Sequence, residues 1–438
     1  MSAPDVAERL VSAGLLPAEA RRKRELFGAV DAALAELCGG TSPRGRWFVP
    51  GRLEVLGKRA GESGGRALLC AVGRGVCVAA SPRSDSRLRI VDAGRGVEGE
   101  AELSGAAETS GSGWTSLAQA VASRVERRFP ELRGADVALA SDLPRASGLS
   151  SSTALVAALV TVLADFNELA ARPEWAVAIR SAEELAGFLD GVESGRGDGA
   201  PAGDGGGPHA GSGDAAAIVC GEARRVSQFA FAPLRLERTV PLEEDWSFVV
   251  AASGVAREAH DGPARAADEI VEIWNRSTGR RDSTLFEALA ASPDASARIR
   301  ALVRVLPSAL PNDVLVRRFD QFVEETFSLV PQAADFLERG ELGRFGDVVD
   351  RSQALAESHL SDPSPETIAL ARSARELGAV AATAFGTGRG ESVWALTRTD
   401  GSEAFRRRWA ERYTGAFPAV AGASRFFVTR PAPSMVAL

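Results

Sequence analysis

Across residues 4–38, alanine, leucine and valine recur every third or fourth position among glutamate and arginine, which predicts one or two amphipathic helices. The pattern then changes. From Trp47 to Ala80 short apolar runs (Trp47 to Val49, Leu53 to Leu56, Ala67 to Val72, Val76 to Ala79) are punctuated by glycines, the mark of strands joined by tight turns. A second strand-like group covers Leu88 to Glu102, and helical spacing returns over 114–129. Asp136 to Leu143 reads as a strand feeding Pro144 to Ala154, after which helices are predicted over 154–167 and 174–188. Residues 190–213 are rich in Gly, Asp, Pro and Ala, the composition of a flexible surface loop. Strands are predicted at Ala215 to Val219, Val226 to Phe231 and Trp246 to Ala252, and helices over most of 264–380, including 314–338 and 365–379. A glycine loop at Gly386 to Gly390, a strand at Ser392 to Leu396, a helix over 402–413 and a strand at Ser424 to Thr429 follow. This order predicts an α+β fold.

The segment Pro144 to Ala154 reads Pro-Arg-Ala-Ser-Gly-Leu-Ser-Ser-Ser-Thr-Ala and runs into the apolar stretch Leu155 to Phe166. Small residues let backbone approach an anion, the serines offer hydroxyls, and a helix N-terminus presents unpaired N–H groups. A helix cap needs one hydroxyl, so three serines in a row behind a Pro-x-x-x-Gly-Leu turn point to a phosphate-binding loop. It is not a Walker loop, because no Gly-Lys-Ser/Thr follows the glycine.

Charge and composition narrow the partners. With 438 residues the chain is long enough for two domains or one large two-lobed fold. A net charge of −7 argues against a nucleic-acid surface and for a small-molecule partner. The four cysteines (Cys38, Cys70, Cys77, Cys220) lack CxxC spacing and read as small buried hydrophobes. His209, His260 and His359 are too scattered to propose a histidine metal site. Met1 to Arg24 lacks a signal-peptide pattern and Ala154 to Ala164 is too short to span a bilayer, so a cytoplasmic, membrane-free protein is expected.

Three ordered segments, Val49-Pro50-Gly51-Arg52-Leu53-Glu54-Val55-Leu56-Gly57, Pro144 to Ala154 and Gly386 to Leu396, together resemble the GHMP kinases, and the galactokinases in particular. Trp114 to Val125 and Ser364-Pro365-Glu366 extend the resemblance over about the whole chain. It implies a two-lobed α+β GHMP kinase fold, with an N-terminal lobe over 1–240 and a C-terminal lobe over 241–438. It also implies transfer of the γ-phosphoryl group of ATP, with Mg²⁺, to a hydroxyl of a sugar or sugar-like molecule. On that resemblance Gly148, Leu149, Ser150, Ser151 and Ser152 surround the ATP phosphates, and Ser152 and Glu183 hold Mg²⁺, with Glu184 the one-residue alternative to Glu183. Asp214, in Gly211-Ser212-Gly213-Asp214, stands at the place of the catalytic base, and Arg52 lies beside it to balance charge.

The sugar-holding Glu-His-x-Asp-Tyr of the galactokinases is replaced here by Lys58-Arg59-Ala60-Gly61-Glu62. Lys58, Arg59, Glu62 and Gly211 are the substrate-side candidates. Two cations there point either to an anionic acceptor such as a uronate or to a solvent-facing loop. The altered stretch leaves open a second reading, a catalytically impaired relative that binds a ligand or a protein as a sensor.

Overall fold

The computed structural model describes residues 5–40, 43–103, 114–194, 213–256, 262–360, 363–386 and 390–438. Helices α1 (Val6–Ser12) and α2 (Pro17–Leu37) precede two long strands, β1 (Gly45–Leu56) and β2 (Arg66–Pro82). The short runs expected from Trp47 to Ala80 are therefore two strands. Glycines 51, 73 and 75 mark an irregularity within them, since the pairing jumps from Pro50 opposite Gly75 to Gly51 opposite Val72. Strands β3 (Arg87–Asp92) and β4 (Val97–Glu102), helix α3 (Trp114–Arg128) and strand β5 (Ala135–Ser141) follow. After the serine loop come α4 (Ser151–Phe166), α5 (Pro173–Ala178), α6 (Ala182–Ser194), α7 (Asp214–Cys220), β6 (Arg225–Phe231) and β7 (Leu234–Pro241).

Two expectations change here. The helix read over 174–188 is divided between α5 and α6, and the strand read at Ala215 to Val219 is the helix α7. A five-residue apolar run carries no periodicity that separates strand from helix. What decides it is Gly213, left-handed at φ 79°, which redirects the chain into three successive alanines, the best helix formers. Residues 195–212, most of the expected surface loop, lie outside the described residues, as do 387–389 of the second glycine loop.

The remainder starts with β8 (Trp246–Ala256) and the helices α8 (Gly262–Thr278), α9 (Leu285–Ala290), α10 (Ala295–Val305) and α11 (Asn312–Glu324). A π turn over Glu325–Leu329 leads into α12 (Val330–Glu338), then α13 (Leu342–Leu355) and α14 (Pro365–Glu376). Strands β9 (Ala381–Phe385) and β10 (Gly390–Arg398), helix α15 (Ser402–Ala416), and strands β11 (Arg425–Thr429), β12 (Pro431–Ala432) and β13 (Val436–Ala437) close the chain. A nine-stranded sheet has the path β13-β1-β2-β5-β3-β4, with β12 and the β6–β7 hairpin joined to β2, and a four-stranded sheet has the order β11-β8-β10-β9. The expected division at residue 240 falls between β7 and β8, yet β12 and β13 return to the first sheet. Among the described residues no helix is long and apolar enough to cross a membrane.

Alternation along the strands builds cores on both faces of each sheet. On β2, Val76, Val78 and Ala80 face a core shared with α3, α4 and α6, while Cys77 and Ala79 face α2. On β10, Trp394 and Leu396 enter that same large core, while Val393 and Ala395 pack on α14 and α15 with Leu370 and Trp409. The two sheets thus share one apolar seam. No disulfide joins the cysteines; Cys70 and Cys77 are buried, Cys38 and Cys220 half-buried.

At the β2 irregularity α2 buries charge as well as apolar surface. Lys23, wholly buried, pairs with Asp142, which also accepts the Gly75 N–H at 2.9 Å. Glu19 accepts the Thr429 hydroxyl at 3.0 Å and occupies the notch left by the missing side chain of Gly73; burial pushes its carboxyl up to about 7. This fixes Asp142, two residues before the loop begins.

Gly51 is where β1 passes closest to the serine loop: a Cβ there would sit 2.6 Å from Leu143 and 2.7 Å from the Leu149 carbonyl oxygen. Gly51→Ala is expected to lower the unfolding free energy by about 1–3 kcal/mol. Gly28→Ala, on α2 with no atom within 4 Å of the added methyl, is expected to raise it by about 0.5–1 kcal/mol. Chemical denaturation of the two variants beside the parent checks both signs.

Candidate functional site

The serine loop turns the chain from β5 into α4 through three left-handed residues, Ala146 (φ 47°), Gly148 (φ 66°) and Ser150 (φ 60°). Two of them carry a side chain, a strained arrangement that persists only where surroundings enforce it. The surroundings here are visible. Leu149 is buried and its carbonyl accepts the Arg52 N–H at 3.1 Å. The Ser147 hydroxyl donates to Pro144 O at 2.7 Å, and the Ser392 hydroxyl, from β10, donates to Ser147 O at 2.7 Å. The result presents the first turn of α4, free of acidic residues, with Ser151 and Ser152 exposed and the Ser150 hydroxyl buried without a hydrogen-bond partner. Such a turn attracts an anion.

Beneath the loop lies an ion pair with a buried guanidinium. Arg52, 1% exposed, donates Nε–H to Asp214 Oδ1 at 2.7 Å and its Nη2 to the same oxygen. β1 supplies the arginine and α7 the aspartate, as its first residue. Because Gly213 takes the sharp turn, Asp214 is held on a rigid element yet stays partly open, at 15% of its side chain. The third arm of Arg52, Nη1, has no hydrogen-bond partner and lies 3.5 Å from Glu54 Oε2.

Two further carboxyls come from the last turns of α6. Glu193 Oε2 accepts the Thr153 hydroxyl at 2.6 Å, and the Ser152 hydroxyl bonds to the same carboxyl. Burial raises the proton affinity of Glu193 despite those two bonds. Asp190 accepts the Ala215 N–H at the start of α7, while its Oδ1 is buried without a partner. Burial, then the charges of Asp214 and Glu193, push its carboxyl well above the usual carboxylate range.

Glu183, expected to join Ser152 at a metal, stands in the first turn of α6 instead. Ten residues separate it from Glu193, about 15 Å along a helix axis. Glu184, the neighbouring alternative, is taken by Arg180, whose Nη2 reaches it at 2.6 Å. The structure therefore brings Glu193 to Ser152 and leaves Glu183 and Glu184 away from it. An acidic residue in the last turn of α6, on the face carrying Leu189, was the sequence signal available; the glycine-rich composition just beyond it concealed where the helix stops.

Two family models match the chain: the GHMP kinases N terminal domain over residues 116–206 and the GHMP kinases C terminal model over residues 333–415. A galactokinase of Actinobacillus pleuropneumoniae is 36% identical over 109 residues, a stretch that spans 25% of this chain and 28% of that protein. A galactokinase of Roseiflexus sp. (strain RS-1) is 27% identical over 373 residues, covering 84% of this chain and 87% of the relative. The crystal structure of Lactococcus lactis galactokinase complexed with galactose matches with a TM-score of 0.77 at 22% identity, over 94% of this chain and 100% of that one. The chain belongs to the GHMP kinases.

Within that family it is galactokinase-like, and its two-lobed α+β fold is the shared one. The stretch where this GHMP kinase departs from the galactokinase pattern is not a solvent-facing loop. Lys58 and Arg59 are 7% and 8% exposed. Lys58 Nζ donates to Gln353 Oε1 at 3.2 Å and to the Thr383 hydroxyl, in the other lobe. Glu325, fully buried in the π turn, accepts the N–H groups of Gly57 and Lys58 at 2.9 and 3.2 Å and the Ser352 hydroxyl. Arg318 donates to Arg59 O at 2.7 Å and to the Ser63 hydroxyl at 3.0 Å, while Gln321 donates to Lys58 O at 3.1 Å. Arg59 pairs with Glu62 at 2.9 Å, leaving Glu62 Oε2 buried and without a hydrogen-bond partner. Backbone groups that short segments leave unpaired are thus met by side chains from the helical part of the chain. Gly211 lies outside the described residues.

Removing the Asp214 carboxylate strands the Arg52 charge. Asp214→Ala is expected to lower the unfolding free energy by roughly 3 kcal/mol. Asp190→Asn, which replaces a carboxyl that resists ionisation by a neutral acceptor of the same shape, is expected to cause no loss. Denaturant midpoints of the two variants separate a carboxylate that the fold needs charged from one that it does not.

Proposed function

We propose that this GHMP kinase transfers the γ-phosphoryl group of ATP to a hydroxyl of a sugar or sugar-like molecule. The observation that carries this reading is the Arg52–Asp214 pair, held by Leu149 directly under a strained serine loop whose helix turn is open. A donor site for phosphates and a site for a nucleophile's proton therefore adjoin.

The loop amides and the hydroxyls of Ser150, Ser151 and Ser152 receive the phosphates. Asp214 accepts a hydrogen bond from the acceptor hydroxyl and takes its proton as the new O–P bond forms. The bond from γ-phosphorus to the bridging oxygen breaks, and ADP leaves with the electron pair. Arg52 keeps Asp214 oriented and offsets negative charge on the transferred group. Ser152 and Glu193 supply two hard oxygens for Mg²⁺; bound there with the phosphates, the ion would neutralise charge on them. Among the described residues no group of three or more His, Cys, Asp or Glu side chains is arranged to hold a metal. A cation completed by nucleotide oxygens fits that sparse set, since Mg²⁺ at phosphates needs only one or two carboxylates.

For the acceptor the clamp of Lys58 to Glu62 favours a neutral polyhydroxyl compound over an anion. Both cations already serve protein oxygens, whereas Glu62 Oε2 has no donor. A buried acceptor without a donor favours a hydroxyl.

Purified protein incubated with Mg·ATP and a panel of neutral sugars, uronates and polyols is expected to release ADP with a neutral sugar and more slowly with its uronate. Nucleotide binding with no turnover on any acceptor would instead identify a binding protein. In the active pair Asp214→Asn is expected to lower kcat by about 10²–10⁴-fold with ATP affinity largely kept. Glu193→Gln is expected to raise the Mg²⁺ concentration giving half-maximal rate by about 10–100-fold, and Glu183→Gln to leave it unchanged.

A further inference from the structure

Five ionisable side chains act on one another with alternating sign: Asp214, Arg52, Glu54, Lys58 and Glu325, of which all but the partly open Asp214 are buried. Arg52 donates to Asp214 on one side and lies 3.5 Å from Glu54 on the other. Glu54 in turn sits in the field of Lys58, and the Lys58 charge acts on Glu325. Two cations and three carboxyls carry one excess negative charge when all are ionised. Out of water such an excess is relieved by binding a proton.

The three carboxyls are not equally placed to take it. Asp214 accepts two arms of Arg52, and Glu325 accepts two backbone N–H groups and a hydroxyl. Glu54 lies between both cations, yet Arg52 Nη1 makes no hydrogen bond to it. We propose that Glu54 is a positioning residue for Arg52: by holding or releasing one proton it leaves the guanidinium charge undivided for Asp214 and the phosphates, or shares it.

Other groups around Glu54 agree with this placement. Burial pushes its carboxyl up to about 7; Arg52 on the same strand and Lys58 in the following turn lower it, while Asp214 at the start of α7 and Glu325 in the π turn raise it. From β10, Trp394 presents only an uncharged N–H, 3.1 Å from Glu54 O. Glu54 is therefore mostly protonated below about pH 7 and mostly ionised above it. The inference rests on the reading of the serine loop as an ATP-phosphate site. An anion arriving beside Arg52 raises the proton affinity of Glu54, so nucleotide binding takes up a proton at a pH slightly above that value.

Calorimetric titration of Mg·ATP at about pH 7.5, in two buffers of different ionisation heat, measures that uptake. Wild type is expected to take up a fraction of one proton and Glu54→Gln none, and the fall of kcat with rising pH through about 7 is expected to flatten in the variant. Equal uptake in both proteins, or binding by wild type without uptake, overturns the proposal while leaving the nucleotide site standing. Absence of binding heat in both, with both folded, overturns the nucleotide site and the coupling together. Should Glu54→Gln not fold, the wild-type uptake measured across pH decides: a maximum near Glu54's own ionisation supports the proposal, and no uptake at any pH overturns it.

Discussion

A guanidinium held almost wholly out of water must find its counter-charge inside the protein, and much of this structure follows from where Arg52 finds it. The carboxylate comes from the far side of the chain, so β1 and α7 must meet with side-chain precision. Gly51 lets β1 pass under the loop, the Leu149 carbonyl takes the Arg52 N–H, and Gly213 ends the preceding segment so that α7 begins on Asp214 itself. Each step places backbone first and charge second. Desolvation cost alone would make the pair a poor source of stability. Its worth lies in fixing one carboxylate, still partly open to solvent, relative to the open first turn of α4.

The same constraint reaches into the second lobe. Past Gly57 the chain could have been a loose turn; instead Glu325, Gln321 and Arg318, all buried, meet its polar groups, and Lys58 crosses to Gln353 and Thr383. Complete buried networks are rigid, and incomplete ones are costly. The clamp therefore ties the lobes together, near the shared apolar seam of Trp394 and Phe248. Cations that in sequence suggest an anionic ligand or an exposed turn are, in the fold, part of this fastening.

What could be read from residues alone divides along the same physical line. The strand, turn and helix around Pro144 to Ala154 were legible because their signal is contiguous: small residues, serines and a helical apolar run sit side by side, and β5 and α4 fall within a few residues of the expected limits. Arg52 and Asp214 were legible through their motifs, whereas Ala215 to Val219 misled because a short apolar run lacks a period. Glu183 and Glu193 lie on one helix, and only its packing on α4 shows that Glu193 is the one that meets Ser152. Glu54, Asp190 and Glu325 gave no local signal, because the meaning of each depends on other segments: Asp190 on the start of α7, Glu54 on Arg52 and Lys58, and Glu325 on a turn more than two hundred residues earlier in the chain.

That division bears on how the two halves of the site can vary. The serine loop depends on backbone geometry, and backbone geometry is set by neighbouring residues, so it changes only if a whole motif changes. The ionisable cluster beside it depends on side chains that converge from β1, α6, α7 and the π turn, so single substitutions can alter it without disturbing the loop. Lys58 to Glu62 departs from the galactokinase pattern, and both of its cations meet partners inside the fold. Glu54 lies on the boundary between the two, adjoining Arg52 through one oxygen and Trp394 of the second lobe through its backbone. A residue so placed feels both the donor's charge and the fit of the lobes, and its proton is the cheapest degree of freedom by which one can report to the other.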